Sequence, residues 1–542
     1  KWENKMKELI VFAGEILFMA VVIGMYDKSE KFQQKIKSIK LFIEKHECIF
    51  FISMIVITIM MSVGFINQGH DWGGDFSQYL AQTRAILNGT VEEQVAAGTY
   101  IAENSVVGLC PDVYPWGYCL LLLPVYALFG MNFFVLKLVG VFYFVLFVGL
   151  IYLFFRKRFG VGTSLMAGLL FAFNESYLTV IDSVISDMPF LLFSVLGMYA
   201  FYEILKEEKH QFIWAVICGT TSFFAYFCRA NGIVSILTIV SLDILLIVSR
   251  FLPVLNRWIK KCGFVKQSLW THMLIYILFL GGKILSDRLL PKAGAGYGAL
   301  ISQLSLESVI YNAYMYLREG IFGIFRFGKY MAVIAEAAFL LMLIVGLIKS
   351  FWEELPLHIY TLGMTALLMI YPGFQGMRYL FTVIPFWVVI AIKGIQFTLN
   401  FLIDHFAVVK GKQVFSTAKL ISGCLCIFFL VFSARMILLY HVTHSYTTNQ
   451  AYTQEALELY HYIDENTRDT DIIVSCKPRV IWLNTGRLGF SVQDGENKYL
   501  ESDYILFLDG DGLWETEKSI QESEGEDSLV FEGEKCRLYR IE

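Results

Sequence analysis

Charge is scarce in this sequence. Of 542 residues only 17% are charged and 56% are apolar, against about 25% charged in soluble chains, which leaves too little polar surface for a soluble globule of this size. The formal net charge of -4 points neither to nucleic acid nor to an acidic substrate. Ten cysteines occur without paired spacing, most of them in apolar runs where a thiol packs as a small hydrophobe. Cys424 and Cys426 fall on different faces of a helix, which argues against a metal site. Cys476 and Cys536 leave a disulfide in the tail open. No internal repeat and no low-complexity segment is evident. The first apolar run, Leu9 to Met25, has no small-residue cleavage site after it.

Apolar runs, in contrast, are abundant. At roughly 20 residues per crossing the chain predicts an all-α polytopic bundle of about eleven or twelve membrane spans. They are Cys48 to Ile66, Phe133 to Phe155, Leu165 to Ile181, Phe190 to Leu205, Phe212 to Phe227, Ile233 to Val248, Met273 to Leu285, Met331 to Ile348, Ile359 to Tyr371, Leu380 to Leu399 and Leu420 to Tyr440, with Leu9 to Met25 as a twelfth interrupted by Glu15. Lys and Arg in short loops are retained on the cytoplasmic side. They gather at Lys28 to Lys45, Arg156 to Arg158, Lys206 and Lys209, Arg250 to Lys261, Lys349, and Lys410 to Lys419. With those loops inside, residues 67–131, 182–187, 228–232, 286–329, 372–379 and the chain after His441 lie outside, provided that Tyr118 to Phe129, short and containing Pro124, does not cross. Three parts follow: residues 1–47, a membrane segment and basic inner loop; residues 48–440, the membrane domain; and residues 441–542, an outer domain. In the last, residues 452–465 read as a helix and Asp471 to Ser475, Tyr504 to Leu508, Ser528 to Glu532 and Cys536 to Ile541 as strands, hence a small α/β fold.

The first outer loop carries Asp71-Trp72-Gly73-Gly74-Asp75. After it Phe76, Tyr79, Leu80, Thr83, Ile86 and Leu87 recur at helical spacing as far as Gly89, predicting a short amphipathic helix on the membrane surface with Asp75 at its start. An Asp there is a favoured N-cap. Gly74-Asp75 with this helix, Tyr114-Pro115-Trp116-Gly117-Tyr118 leading into Pro124, Ser186-Asp187-Met188-Pro189, Arg229-Ala230-Asn231-Gly232 and Arg378-Tyr379-Leu380 follow one another in an order that resembles the GT-C membrane glycosyltransferases, in particular the protein mannosyltransferase and aminoarabinose transferase type, over roughly residues 48 to 400. One departure is that Trp116 follows Pro115, where some relatives have a second proline and a basic residue.

The resemblance implies a hexosyl- or pentosyltransferase that inverts at the anomeric carbon, using a sugar on a polyprenyl phosphate as donor and a lipid, glycan or protein as acceptor. It implies Asp75 as general base, with Asp187 and Asp71 as supporting carboxylates. It also implies a cation for the departing lipid phosphate, for which Arg229, Arg378, Lys292 and Arg318, with Arg326 beside them, are candidates; guanidinium suits phosphate best. Each such Arg could equally snorkel to headgroups. A divalent metal is left open, His70 being the one clear imidazole in the outer loops. The glycine-rich Gly294 to Gly298 follows a membrane span rather than a strand, which excludes a dinucleotide site. Asp243 and Glu336 lie within apolar runs, where an ionisable group faces the bundle interior. They would carry a rival reading, a transporter or flippase of lipid-linked sugars, although no repeated halves are visible. A polysaccharide polymerase or ligase is the enzymatic rival.

Overall fold

The computed structural model describes residues 30–105, 111–291, 304–321, 329–371, 373–406, single positions between 423 and 438, 449–524 and 528–541. Within them the chain is a helical, polytopic membrane protein with a small α/β domain. Seven helices are long and apolar enough to cross a membrane: Glu47–Phe65, Phe133–Phe159, Asp187–Lys206, Gln211–Cys228, Ala230–Ser249, Leu269–Leu289 and Ile384–Phe401. The stretch Leu165 to Ile181, expected as one straight span, is instead Val161–Ala172 and Glu175–Ile181, bent by 52°. Asn174 causes the break, since its side chain accepts from the Ser176 N–H and caps a new helix. The apolar helices Gly117–Phe129, Ala337–Ser350 and Leu355–Met369 are shorter. Gly117–Phe129 keeps the length that argues against a crossing. Leu9 to Met25 and most of Leu420 to Tyr440 lie outside the described residues.

Burial ranks the helices. Asp187–Lys206 has 83% of its apolar window buried and stands at the centre, while Glu47–Phe65, at 22%, faces outward over most of its surface. A helix apolar all round, such as Phe133–Phe159, can bury Phe144, Phe147, Phe154 and Phe155 and still offer Phe142 and Leu153 outward. Tyr177 is fully buried against this core. Its ring stacks 4.0 Å from Phe381 and its hydroxyl donates to the Phe381 carbonyl at 3.1 Å, which anchors the segment that leads out to Arg378.

The C-terminal domain is built on one four-stranded sheet in the order β1 (Ile473–Ser475), β2 (Tyr504–Leu508), β4 (Cys536–Arg540), β3 (Leu529–Glu532), with β1 and β2 parallel and the other pairs antiparallel. β2 reads Tyr-Ile-Leu-Phe-Leu and is buried throughout, as a strand covered on both faces must be. Tyr504, Leu506 and Leu508 meet Leu459, Tyr460 and Ile463 of the helix Gln454–Asn466. The alternate residues Ile505 and Phe507 meet Phe490, Leu513 and Ile520, so the period of two places a core on each side. Two helices had no counterpart in the sequence reading, Pro478–Thr485 and Trp514–Glu524. Cys476 and Cys536 are free thiols, so the disulfide left open above is not formed. The Cys536 thiol instead contacts a Glu455 carboxylate oxygen at 3.2 Å.

Candidate active site

The helix Gly74–Asn88 starts after Gly73 and ends at Gly89, whose positive φ of 73° lets its N–H reach back to Ala85. It does not lie free on a membrane surface. Phe76 through Thr83 are all buried, between the short apolar helix Gly117–Phe129 and the helix Pro478–Thr485 of the C-terminal domain. Its polar residues have partners within the protein. Gln78 donates to the Asp112 carbonyl at 3.1 Å, and Gln82 grips the Tyr114 backbone from both sides, donating to its carbonyl at 3.0 Å and accepting from its N–H at 2.9 Å.

Asp75 is not the cap, since Gly73 holds that position. Its carboxylate turns away from the helix: Oδ1 accepts from the Tyr114 hydroxyl at 2.7 Å, and Oδ2 pairs with Arg378 Nη2 at 2.6 Å. Burial alone would raise the Asp75 carboxyl, but Arg378, the Tyr114 hydroxyl and Arg229 together hold it below its ordinary range. Its side chain stays 31% exposed, enough for a substrate to reach.

Asp187 opens the central helix with Pro189 in its first turn, as the sequence suggests, yet it too serves a side chain rather than the backbone. Its Oδ2 accepts from Arg229 Nη1 at 2.7 Å and lies 4.0 Å from Arg378 Nη1. At 3% exposure it is closed to substrate, which separates it from Asp75. The Tyr379 ring lies under both guanidinium groups, 4.5 Å from that of Arg229 and 5.4 Å from that of Arg378. Gly117 makes this convergence possible. A Cβ there would meet the Phe227 backbone at 2.5 Å, so only glycine lets the Tyr114 segment approach the Arg229 corner. From the C-terminal domain Arg479 completes the cluster, donating to the Tyr114 hydroxyl oxygen at 3.0 Å. Asp75, Asp187, Arg229, Arg378 and Arg479 thus form two carboxylates against three guanidinium groups, an excess of positive charge.

Asp71 stands apart from this cluster and shapes the turn before it. Its Oδ1 accepts from His70 Nδ1 and from the Gly73 N–H, each at 2.9 Å. His70 Nε2 accepts from the Val184 N–H at 3.2 Å, so both ring nitrogens are used. Among the described residues no three His, Cys, Asp or Glu side chains are grouped for a metal ion. The donor set does not suit one either, because Asp75 and Asp187 are each matched by guanidinium. Lys292 and Arg326 lie outside the described residues. Arg318 is exposed on the turn Tyr316–Ile321, whose Tyr316 hydroxyl accepts from the Gln375 N–H at 3.2 Å, three residues before Arg378.

Comparison with known proteins bears on the fold. No protein-family model and no curated protein matches the chain. Among solved structures, ArnT from Cupriavidus metallidurans superimposes over 90% of this chain and 97% of its own, at 12% identity, with TM-scores of 0.54 in the apo state and 0.55 with undecaprenyl phosphate bound. The oligosaccharyltransferase of Archaeoglobus fulgidus is more distant, with a TM-score of 0.49 at 12% identity over 84% of this chain and 69% of its own. This chain has the GT-C fold.

Two members of the cluster in this GT-C fold had no assigned role in the sequence reading. Tyr114 lies within the motif Tyr114 to Tyr118, but nothing in that motif marks its hydroxyl. Arg479 lies 365 residues away from it, in a domain whose place against the membrane part no local pattern encodes. The one signal was a proline at the first position of a short helix, Pro478, with the arginine directly after it.

Proposed function

We propose that this protein is an inverting glycosyltransferase that moves a sugar from a polyprenyl-phosphate donor to an acceptor hydroxyl at the outer membrane surface, with Asp75 as general base. The observation that carries the reading is the accessible Asp75 carboxylate held by a guanidinium that a phosphate can claim. ArnT, whose fold is similar, has been solved with undecaprenyl phosphate bound, and the surplus of guanidinium groups here suits that class of anion.

In the ligand-free state Arg378 neutralises Asp75. A lipid phosphate that draws Arg378 toward itself removes the strongest influence lowering the Asp75 carboxyl, and burial then raises its basicity. The base thereby strengthens as donor arrives. Asp75 takes the acceptor hydroxyl proton, the acceptor oxygen bonds to the anomeric carbon, and the bond from that carbon to the phosphate oxygen breaks. The electron pair leaves on the lipid phosphate, where Arg378 and Arg229 stabilise it. Asp187 holds Arg229 in place, and Asp71 orders the turn that presents Asp75.

Purified protein offered a panel of radiolabelled polyprenyl-phosphate sugars should release lipid phosphate only when acceptor is present. Vesicle translocation of a lipid-linked sugar without such release would favour the transporter reading. Asp243 gives that alternative little support, since it accepts from Tyr276 at 2.6 Å and pairs with His272 at 2.9 Å as a closed intramembrane set. Glu336 has no side chain among the described residues.

Arg378→Gln should raise the donor concentration needed for half-maximal rate. It should also move the acid limb of kcat/KM to higher pH: the depressed Asp75 carboxyl stays ionised until pH falls through its folded value, and losing Arg378 raises that value. A pH–rate series at several donor concentrations checks both effects. For orientation, single cysteines replacing Glu92 and Gln493 on a cysteine-free background should react with an impermeant thiol reagent from the extracytoplasmic side. Reaction of either from the cytoplasmic side alone would reverse the topology.

A further inference from the structure

We infer that Arg479 of the outer domain is a positioning residue for this transfer: through the Tyr114 hydroxyl it fixes which oxygen of Asp75 receives the acceptor proton. The inference rests on the proposed role of Asp75 as base.

A phenolic hydroxyl has one proton to donate and lone pairs to accept with, and the proton rotates to whichever acceptor is available. Arg479 Nη1 donates to the Tyr114 oxygen at 3.0 Å. Guanidinium has no acceptor, so the Tyr114 proton cannot point back along that contact. It points at Asp75 Oδ1, 2.7 Å away. Burial, followed by the neighbouring Asp75 charge, pushes the Tyr114 hydroxyl well above its ordinary range, so it remains a donor at any working pH. Oδ1 is therefore permanently engaged. Once a donor phosphate draws Arg378 away, Oδ2 is the oxygen with no hydrogen bond, while Oδ1 keeps one lone pair tied to Tyr114.

Arg479 is itself held rigidly. It is buried, its Nη2 donates to the Pro111 carbonyl at 2.7 Å, and its guanidinium carbon lies 5.1 Å from the centroid of the Tyr114 ring. It occupies the first turn of Pro478–Thr485, and that helix is fastened to the first outer loop on its own account. Arg84 Nη1 donates to the Leu483 carbonyl at 2.8 Å and Trp482 Nε1 to Gln94 Oε1 at 2.9 Å. The outer domain thus reaches the reacting carboxylate through a chain of two hydrogen bonds, Arg479 to Tyr114 to Asp75, and its docking becomes part of the catalytic geometry.

The test is a double-mutant cycle in the full-length protein with Arg479→Lys and Tyr114→Phe. Lysine keeps the charge and can still bond Pro111, but it lacks the planar fork that serves two acceptors at once. Arg479→Lys should lower kcat on the order of tenfold, the scale of one hydrogen bond to a charged group, leave the donor KM unchanged, and shift the acid limb of kcat/KM to higher pH. In the Tyr114→Phe background the same replacement should have no further effect on kcat or on the acid limb. A merely structural role would lower thermal stability and act equally in both backgrounds. Wild-type kcat and pH profile in Arg479→Lys, or a loss that multiplies with that of Tyr114→Phe, would overturn the inference. Asp75→Asn run alongside keeps the two levels apart. If it is inactive while Arg479→Lys is normal, only the inference fails; if it is active, the reading of Asp75 as base fails first.

Discussion

Asp75→Asn is expected to lose about 10²- to 10⁴-fold in turnover, the usual contribution of a general base, or roughly 3 to 5 kcal/mol of activation free energy at 1.36 kcal/mol per tenfold. The fold should survive. Gly73 rather than Asp75 caps the helix, so no cap is lost, and an asparagine Oδ1 can still accept from Tyr114. What disappears is the mostly buried ion pair with Arg378, and the guanidinium left behind still lies 4.0 Å from the Asp187 carboxylate, so it is not stranded. Donor binding provides the sharper contrast. Arg378, released from Asp75 and left with its 4.0 Å approach to Asp187, is more available to phosphate, so the variant should bind donor at least as tightly as the wild type while turning it over slowly. Single-turnover kinetics with labelled donor separate the two quantities. Turnover above about a tenth of wild type under chemistry-limited conditions would remove Asp75 as the base.

In the wild type Asp75 is held below its ordinary value of 3.8. The acid limb of kcat/KM, which reports the free enzyme, should therefore lie below that value. This is the baseline from which the upward shifts in Arg378→Gln and Arg479→Lys are measured.

How much of this was legible in the sequence follows from the range over which each feature is determined. Spans are written in contiguous apolar runs, so helices such as Glu47–Phe65 and Gln211–Cys228 fall within a residue or two of the runs read as Cys48 to Ile66 and Phe212 to Phe227. The strands of the C-terminal domain are local as well, and β2 occupies the residues expected of it. The break at Asn174 is local but was obscured by the apolar residues on either side. The helix at Asp75 was found, but its surroundings were not. Amphipathic spacing tells that one face is polar without telling whether water, headgroups or another domain meets it, and here the C-terminal domain does. The carboxylates and arginines of the cluster were read from short motifs. That Arg378 pairs with Asp75 across 303 residues, and that Asp187 takes Arg229, depends on tertiary packing that no spacing in the sequence records.

The second large effect concerns stability and involves none of the reacting groups. Lys137 is a fully buried lysine within an apolar span, where an unpaired charge would be strongly unfavourable. It is completely enclosed by partners: Asp182 Oδ1 at 2.7 Å, the Gly69 carbonyl at 2.7 Å and Asn67 Oδ1 at 2.9 Å. Asp182 in turn accepts from the Asn67 backbone and side chain, each at 2.8 Å. The set joins the N-terminal end of Phe133–Phe159 to the start of the loop that carries Asp71 and Asp75 and to the turn before Asp187, which makes it the floor on which the site is built. Lys137→Met removes the cation and strands the Asp182 carboxylate. Breaking one side of a buried pair costs about 3 to 5 kcal/mol, whereas removing both charges is far better tolerated. The expected result is a marked fall in melting temperature in detergent for Lys137→Met, with substantial recovery in Lys137→Met/Asp182→Asn, because asparagine still accepts from the Asn67 backbone without carrying a charge. Thermal unfolding of the three proteins, followed by tryptophan fluorescence, checks this. If the double variant is no more stable than the single one, the stranded charge is not the cause, and the loss of the lysine's bonds to Asn67 and Gly69 must account for the whole effect.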